Sequence, residues 1–348
     1  MASGLIKTDF GAEFRDTTIN SRLVWEVDAD IHGIGAHIIV ESAGYTTKVT
    51  RALLLQGDHE LFWGDPGQEH SIPMVLEPSV PPALSISGQT FMQHGQPFRV
   101  KGSTDFRLGE RVHAGVDIRP ILKDRKDAGA NWLRVLGMKQ NNTGWQWLPN
   151  APGRRDAMRR LFDLAGQFGF YVEWVTFADT ALLMPTLAEQ LTHREKDLEV
   201  LRQYPFVLEE LLNEYGHSLQ RVEPSKFSKP SGIIASHGSG LTDRPAVAPY
   251  WDYATYHGRR MAYANDSRAA VAYSPYGFEE EWRKPCPFVN EESAKPQSYG
   301  YDPHYARLMG LHARCGTGGT FHGDWWNEPR LYAPEERRCA VEFYSALD

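Results

Sequence analysis

Between residues 84 and 348, eight short apolar runs of strand character alternate with stretches of helical periodicity, and this alternation narrows the fold more than any other feature. The runs lie at 98–101, 131–138, 170–179, 206–217, 231–239, 250–258, 286–293 and 318–326. Between the second and third, the segment RRDAMRRLFDLAGQFG places Met158, Leu161, Phe162 and Leu164 at helical spacing and stops at a glycine. Repeated strand–helix units imply a parallel sheet covered by helices. Eight of them, over roughly 265 residues, predict a closed (β/α)8 barrel, an α/β fold. An open, doubly wound sheet is the alternative, but no glycine-rich phosphate turn follows the first run.

The chain ahead of this region reads differently. Residues 20 to 75 carry alternating and β-branched runs, broken by glycine and aspartate clusters. The stretch LEPSVPPALS then sets Pro78, Pro81 and Pro82 close together, which suits an extended linker. The expected organisation is a small β-rich domain over 1–80, preceding a barrel domain over 84–348. Residues 1–80 show no motif that carries chemistry; Trp25, Phe62 and Trp63 follow strand periodicity, as core residues do.

Charge and cysteine usage limit the partners. A net charge of −7 gives no basic footprint for a phosphate backbone, so nucleic acid is not expected and a neutral substrate fits better. The opening residues lack an apolar core behind a basic stretch, and no run reaches the roughly 18 apolar residues that span a bilayer. A soluble chain without a recognisable export signal and without a membrane partner is therefore expected. Cys286, Cys315 and Cys339 are odd in number and lack metal-ligand spacing. The histidines show no i, i+4 or H-x-H pattern. Neither a metal nor an organic cofactor is expected.

In a βα barrel the reactive side chains stand at the C-terminal ends of the strands. Asn213-Glu214 ends the fourth run and Asn290-Glu291-Glu292 ends the seventh. Two carboxyl groups about 5–5.5 Å apart are what glycoside hydrolysis with retention requires: one protonated to assist the leaving group, one ionised to attack the anomeric carbon. Trp145 and Trp147, in the loop after the second strand, are candidate platforms for sugar rings, because aromatic faces stack on pyranose C–H surfaces.

On these motifs, residues 84–348 resemble the clan A glycoside hydrolases, the cellulase- and mannanase-like barrels. The segment VLEELLNE (207–214) looks like that family's fourth strand, with Tyr215 where a proline often follows. The resemblance implies that Asn213 bonds the substrate 2-hydroxyl and that Glu214 is the acid/base, its pKa raised by burial and by the second carboxylate. It implies a nucleophile at Glu292, five residues after Pro287, with Glu291 as the other possibility. Arg134 in NWLRVL matches the strand-two arginine that holds the nucleophile ionised. Tyr256-His257 resembles the strand-six pair near the nucleophile and sugar, and Trp325 or Trp326 the tryptophan floor of the sugar site.

Asn327-Glu328-Pro329 imitates the acid/base motif, but only nineteen residues follow it, too few for three further strand–helix units. Glu210 shares the parity of Glu214 and is read as structural support; Glu173, Asp179, Asp105 and His237 are lesser candidates for substrate contacts. The expected function is retaining hydrolysis of a β-linked oligo- or polysaccharide. The alternatives are a non-catalytic barrel that binds glycans, as on a virion or cell surface, and a metal-dependent barrel hydrolase, which the histidine pattern disfavours.

Overall fold

Eight parallel strands form one sheet whose order follows the chain. They are β1 (Val100–Thr104), β2 (Trp132–Leu136), β3 (Tyr171–Phe177), β4 (Val207–Leu212), β5 (Ala235–Ser236), β6 (Ala254–His257), β7 (Phe288–Ala294) and β8 (Gly318–Phe321). In this computed structural model the described residues are 80–140, 145–239, 250–257, 286–294, 300–314, 316–323 and 328–348, together with the strands within 1–79. Strand β1 pairs with both β2 and β8, so the sheet curls into a (β/α)8 barrel. Its ends, β5 and β6, meet where Asp252 N donates to Ala235 O at 3.0 Å and Ala235 N donates to Asp252 Oδ2 at 3.1 Å.

The described helices are α1 (Leu108–His113), α2 (Arg119–Asp127), α3 (Arg154–Gln167), α4 (Thr180–Leu183), α5 (Leu187–Leu201), α6 (Pro303–Arg314) and α7 (Pro334–Leu347). Helix α3 forms where the periodicity predicts, burying Met158, Leu161, Phe162 and Ala165. A capping box between Thr186 and Glu189 starts α5, satisfying two backbone donors that the first turn cannot use.

Strands β2, β3 and β4 are buried along their whole length, as strands covered on both faces must be. That makes Arg134, Glu173, Glu209 and Glu210 costly unless each is paired. The first predicted strand is displaced: residues Gln96–Phe98 belong instead to a small antiparallel sheet with Thr90–Gln93 and Ser85–Ser87. His94 and Gly95 both have positive φ (49° and 76°), the requirement of a two-residue turn whose twist matches its strands. Phe91 of this sheet packs on Trp132 and Tyr253, and Phe98 on Tyr171. These partners stand at or just before the N-terminal ends of β2, β6 and β3, so the small sheet plugs that end of the barrel and leaves chemistry to the other.

Contacts divide the chain into two compact units, Met1–Ser79 and Val80–Asp348. The first contains an antiparallel sheet in the order Glu13–Arg15, Gly4–Lys7, Ala36–Ser42, His70–Ile72, and the hairpins Thr17–Ile19/Arg22–Val24 and Ala52–Gln56/His59–Gly64. No described helix is long and apolar enough to cross a membrane.

Candidate active site

Strand β4 carries consecutive glutamates, and neighbouring residues on a strand face opposite sides. Glu209 is held outside the barrel by Arg194 of α5, whose Nε and Nη2 donate at 2.8 and 2.7 Å, while Thr176 Oγ1 donates at 2.9 Å. Glu210 is held inside by Arg134 of β2, whose Nε and Nη2 donate at 2.7 and 2.9 Å. Both arrangements are bidentate, the geometry that makes arginine–carboxylate pairs strong. Glu210 therefore takes the structural part expected of it.

A further carboxylate lies beside this pair. Glu173 on β3 is fully buried and accepts from Tyr253 Oη at 2.7 Å and Trp132 Nε1 at 3.1 Å. Burial raises its carboxyl pKa, the nearby Glu210 charge adds to the rise, and Arg134 opposes it; the result is a value of about 7. Glu173 is an interior group in the barrel, not a substrate contact at its rim.

At the C-terminal end of β4, Arg134 Nη2 also donates to Asn213 Oδ1 at 2.9 Å, and Gln220 Nε2 donates to the Asn213 carbonyl at 2.5 Å. The Asn213 amide is thereby oriented: its oxygen faces Arg134 and its NH2 group remains a donor. Glu214 follows with φ of +56°, in the left-handed region that non-glycine residues seldom occupy, and such conformations concentrate at functional sites. Its side chain is 19% exposed, and Oε1 stands 3.4 Å from His257 Nδ1. His257, the last residue of β6, is fully buried, and its Nε2 lies 2.9 Å from Ser239 Oγ.

His257 is paired along the sheet with Glu291, and Tyr256 with Asn290, so β7 runs directly beside the Glu214–His257 contact. Against β8, Asn290 lies opposite Gly319 and Ala294 opposite Phe321, so β7 advances four residues where β8 advances two. The irregularity spans Glu291 and Glu292. Bulges of this kind re-aim side chains and recur beside active sites. The side chains of Tyr256, Glu291 and Glu292, and residues Trp325 and Trp326, lie outside the described residues.

Several sequence candidates belong to the packing. Trp145 is only 3% exposed with Arg107 across its ring, so it offers no open face for a sugar, which corrects the stacking role expected of it. Trp147 is likewise buried, edge-on to Trp174. Asp105 is paired with Arg125 and bonded to Ser103, and Asp179 accepts from Gln140 N and Lys139. His237 is buried against the Trp251 ring at 3.9 Å. Glu328, of the excluded Asn-Glu-Pro motif, is exposed. Ser239 was not singled out by its sequence context; the only local signal is its place just beyond the fifth strand. Among the described residues no group of three or more His, Cys, Asp or Glu could hold a metal.

The barrel has a clan A glycoside hydrolase-like fold. Similar solved structures include a glycoside hydrolase family 5 protein from Bacteroides vulgatus, with a TM-score of 0.51 and 17% identity, matched over 69% of this chain and 62% of that one. A mannosidase of the same family from Rhizomucor miehei, in complex with mannosyl-fructose, matches with a TM-score of 0.51 and 11% identity over 76% of this chain and 97% of that one. A GH5_18 structure from Streptomyces cattleya in complex with GlcNAc matches at 0.50 and 15%, over 72% and 80%. The chain thus spans less than two thirds of the Bacteroides structure. No protein-family model matches the sequence, and no curated protein matches it.

Proposed function

We propose that the barrel is a retaining glycoside hydrolase that cleaves β-linked glycans by double displacement. Glu214 is the acid/base, and Glu292, or its neighbour Glu291, is the nucleophile. The observation that carries this reading is the ordered Asn213–Glu214 pair at the open end of the barrel, beside the irregular stretch of β7 that bears both other glutamates. Asn213, fixed through its oxygen, keeps its NH2 group for a sugar hydroxyl. Glu214 is accessible enough to reach a glycosidic oxygen and keeps a histidine at its side. In the first step it gives its proton to the leaving oxygen while the β7 carboxylate bonds to the anomeric carbon; in the second, as a carboxylate, it takes a proton from the attacking water. Arg134, the cation that the family resemblance sets beside the nucleophile, reaches the mouth of the barrel at Asn213. Similar folds holding mannosyl-fructose and GlcNAc support a neutral glycan as the substrate class.

The test is release of reducing sugar from β-glucans, mannans and xylans and of phenol from aryl β-glycosides, with Glu214→Ala, Glu291→Gln and Glu292→Gln beside the wild type. Loss of activity in Glu214→Ala and in one of the two glutamine variants supports the mechanism and assigns the nucleophile. Full activity in Glu214→Ala overturns it, and wild-type binding of a glycan without cleavage would make the barrel a glycan-binding protein.

A further inference from the structure

We infer that Ser239 is a positioning residue for the acid/base, acting through His257 and held in place by the backbone of Tyr215. The inference rests on the reading of Glu214 as acid/base and adds to it a residue from the loop beyond β5.

Three contacts and one covalent link form a closed circuit across the β4, β5 and β6 ends of the barrel. Glu214 Oε1 faces His257 Nδ1 at 3.4 Å. The other ring nitrogen, Nε2, meets Ser239 Oγ at 2.9 Å. The Ser239 carbonyl then accepts from Tyr215 N at 2.8 Å, and Tyr215 is covalently next to Glu214. Ser239 and His257 are both fully buried, so this hydrogen bond is not exchanged with solvent and fixes the plane of the imidazole.

The residue types suit the task. A serine hydroxyl both donates and accepts, so it can anchor Nε2 whether or not that nitrogen carries a proton. The ring then presents Nδ1 to a carboxyl group that must itself be protonated in one step and ionised in the next. An aspartate at the same position would only accept, and would favour a charged imidazole. Full burial also rules out Ser239 as a nucleophile in this arrangement, because no substrate atom can reach its oxygen. The link needs the Tyr215 N–H: the proline that the family resemblance often places here would have none to give to Ser239. Gly238 brings the loop into position, with φ of +98° and its Cα packed so closely that an added Cβ would lie 2.0 Å from the Leu212 carbonyl oxygen.

The experiment separates orientation of the acid from general damage. Wild type, Ser239→Ala, Ser239→Thr and Glu214→Gln are assayed on a pair of aryl β-glycosides, one with a dinitrophenyl and one with a methoxyphenyl leaving group. Dinitrophenolate departs without protonation, so in the glycosylation step, read as kcat/KM, a defect of the acid shows on the methoxyphenyl substrate only, while any loss in the later hydrolysis of the glycosyl-enzyme is common to both. Ser239→Ala is expected to lower kcat about tenfold on the methoxyphenyl glycoside, with KM and the glycosylation of the enzyme by the dinitrophenyl glycoside little changed, since misplacing a proton donor weakens its catalysis. Ser239→Thr, which keeps the hydroxyl, restores most of the loss. Equal losses of kcat/KM on both substrates, or none, overturn the inference. If Glu214→Gln itself shows no leaving-group dependence, the assignment of the acid has failed instead.

A second measurement needs no turnover. Nitrogen-15 spectra of the histidine rings, with the His257 signals identified by His257→Gln, report the hydrogen bonds at each ring nitrogen. Both His257 nitrogens are expected to shift in Ser239→Ala while the melting curve shows a folded barrel. Unchanged signals in a folded variant refute the anchoring role.

Discussion

Glu173 is a buried acid whose charge the fold disfavours, and replacing it with glutamine should stabilise the protein in a way that depends on pH. Glutamine has the same shape and can be accommodated by the same partners. Its amide oxygen accepts from Trp132 Nε1, and its NH2 group donates to the Tyr253 hydroxyl, which in turn can donate to the Glu209 carbonyl 3.3 Å away. What the substitution removes is the ionised carboxyl. In the folded barrel that carboxyl titrates at about 7 in place of 4.5, chiefly because of burial. At ~1.4 kcal/mol per pH unit, the displacement costs the folded, ionised state ~3 kcal/mol.

Because the folded value is raised, the contribution of Glu173 to stability is complete below about pH 4.5 and is lost as pH rises through about 7. Near pH 8, Glu173→Gln should therefore exceed the wild type by ~3 kcal/mol, a Tm gain of roughly 6–12 °C for a barrel of this size. The gain should shrink to about 1 kcal/mol by pH 5 and vanish well below about pH 4.5. Thermal unfolding followed by circular dichroism across that range measures it. A difference of the same size at both ends of the range, or a wild type more stable than the variant on the alkaline side, would refute the claim that Glu173 pays a burial penalty beside Glu210.

Two further outcomes test the packing around the site. His193 on α5 is buried beside Asp197, and burial brings its pKa down from 6.5 to about 4. The folded state resists protonation there, so stability should fall as pH drops from about 6.5 towards 4; His193→Gln should flatten that slope by ~3 kcal/mol in urea titrations, and an unchanged slope would contradict it. Gly238→Ala has no room, with the Leu212 carbonyl oxygen 2.0 Å from the new methyl, and φ of +98° disfavours any side chain. The expected cost is ~3 kcal/mol or more, read as a lower urea midpoint, and a midpoint equal to the wild type would show that the backbone can relax there.

The buried ion pairs show most directly why a sequence reading of this site has limits. Strand β4 announces itself locally: an apolar run of the right length, closing in Asn213-Glu214, needs only the period of its own side chains to be recognised. The same holds for α3, whose spacing and terminal glycine are written in consecutive residues, and for the eight strand runs whose number implies closure. Where local punctuation competes, the boundary moves. Phe98 reads as the start of the first barrel strand, yet pairs with Phe91 across the His94-Gly95 turn and joins the plug of the barrel.

Partner choice, by contrast, is a property of the closed barrel. Arg134 and Glu210 are 76 residues apart, and Arg194 and Glu209 only 15, yet it is the opposite facing of two adjacent glutamates that sends one to each arginine. Ser239 reaches His257 across 18 residues because β5 and β6 meet at the seam of the sheet, which no window along the chain can register. Trp145 illustrates the same point in reverse, since a loop tryptophan reads alike whether it is presented or packed away, and only the folded loop puts Arg107 over its ring. The sequence by itself determined the strand–helix alternation and the acids at strand ends, because both follow from the period of local backbone geometry. The tertiary structure decided which charges neutralise each other and which histidine nitrogen faces Glu214, because those depend on distances that exist only after the sheet has closed.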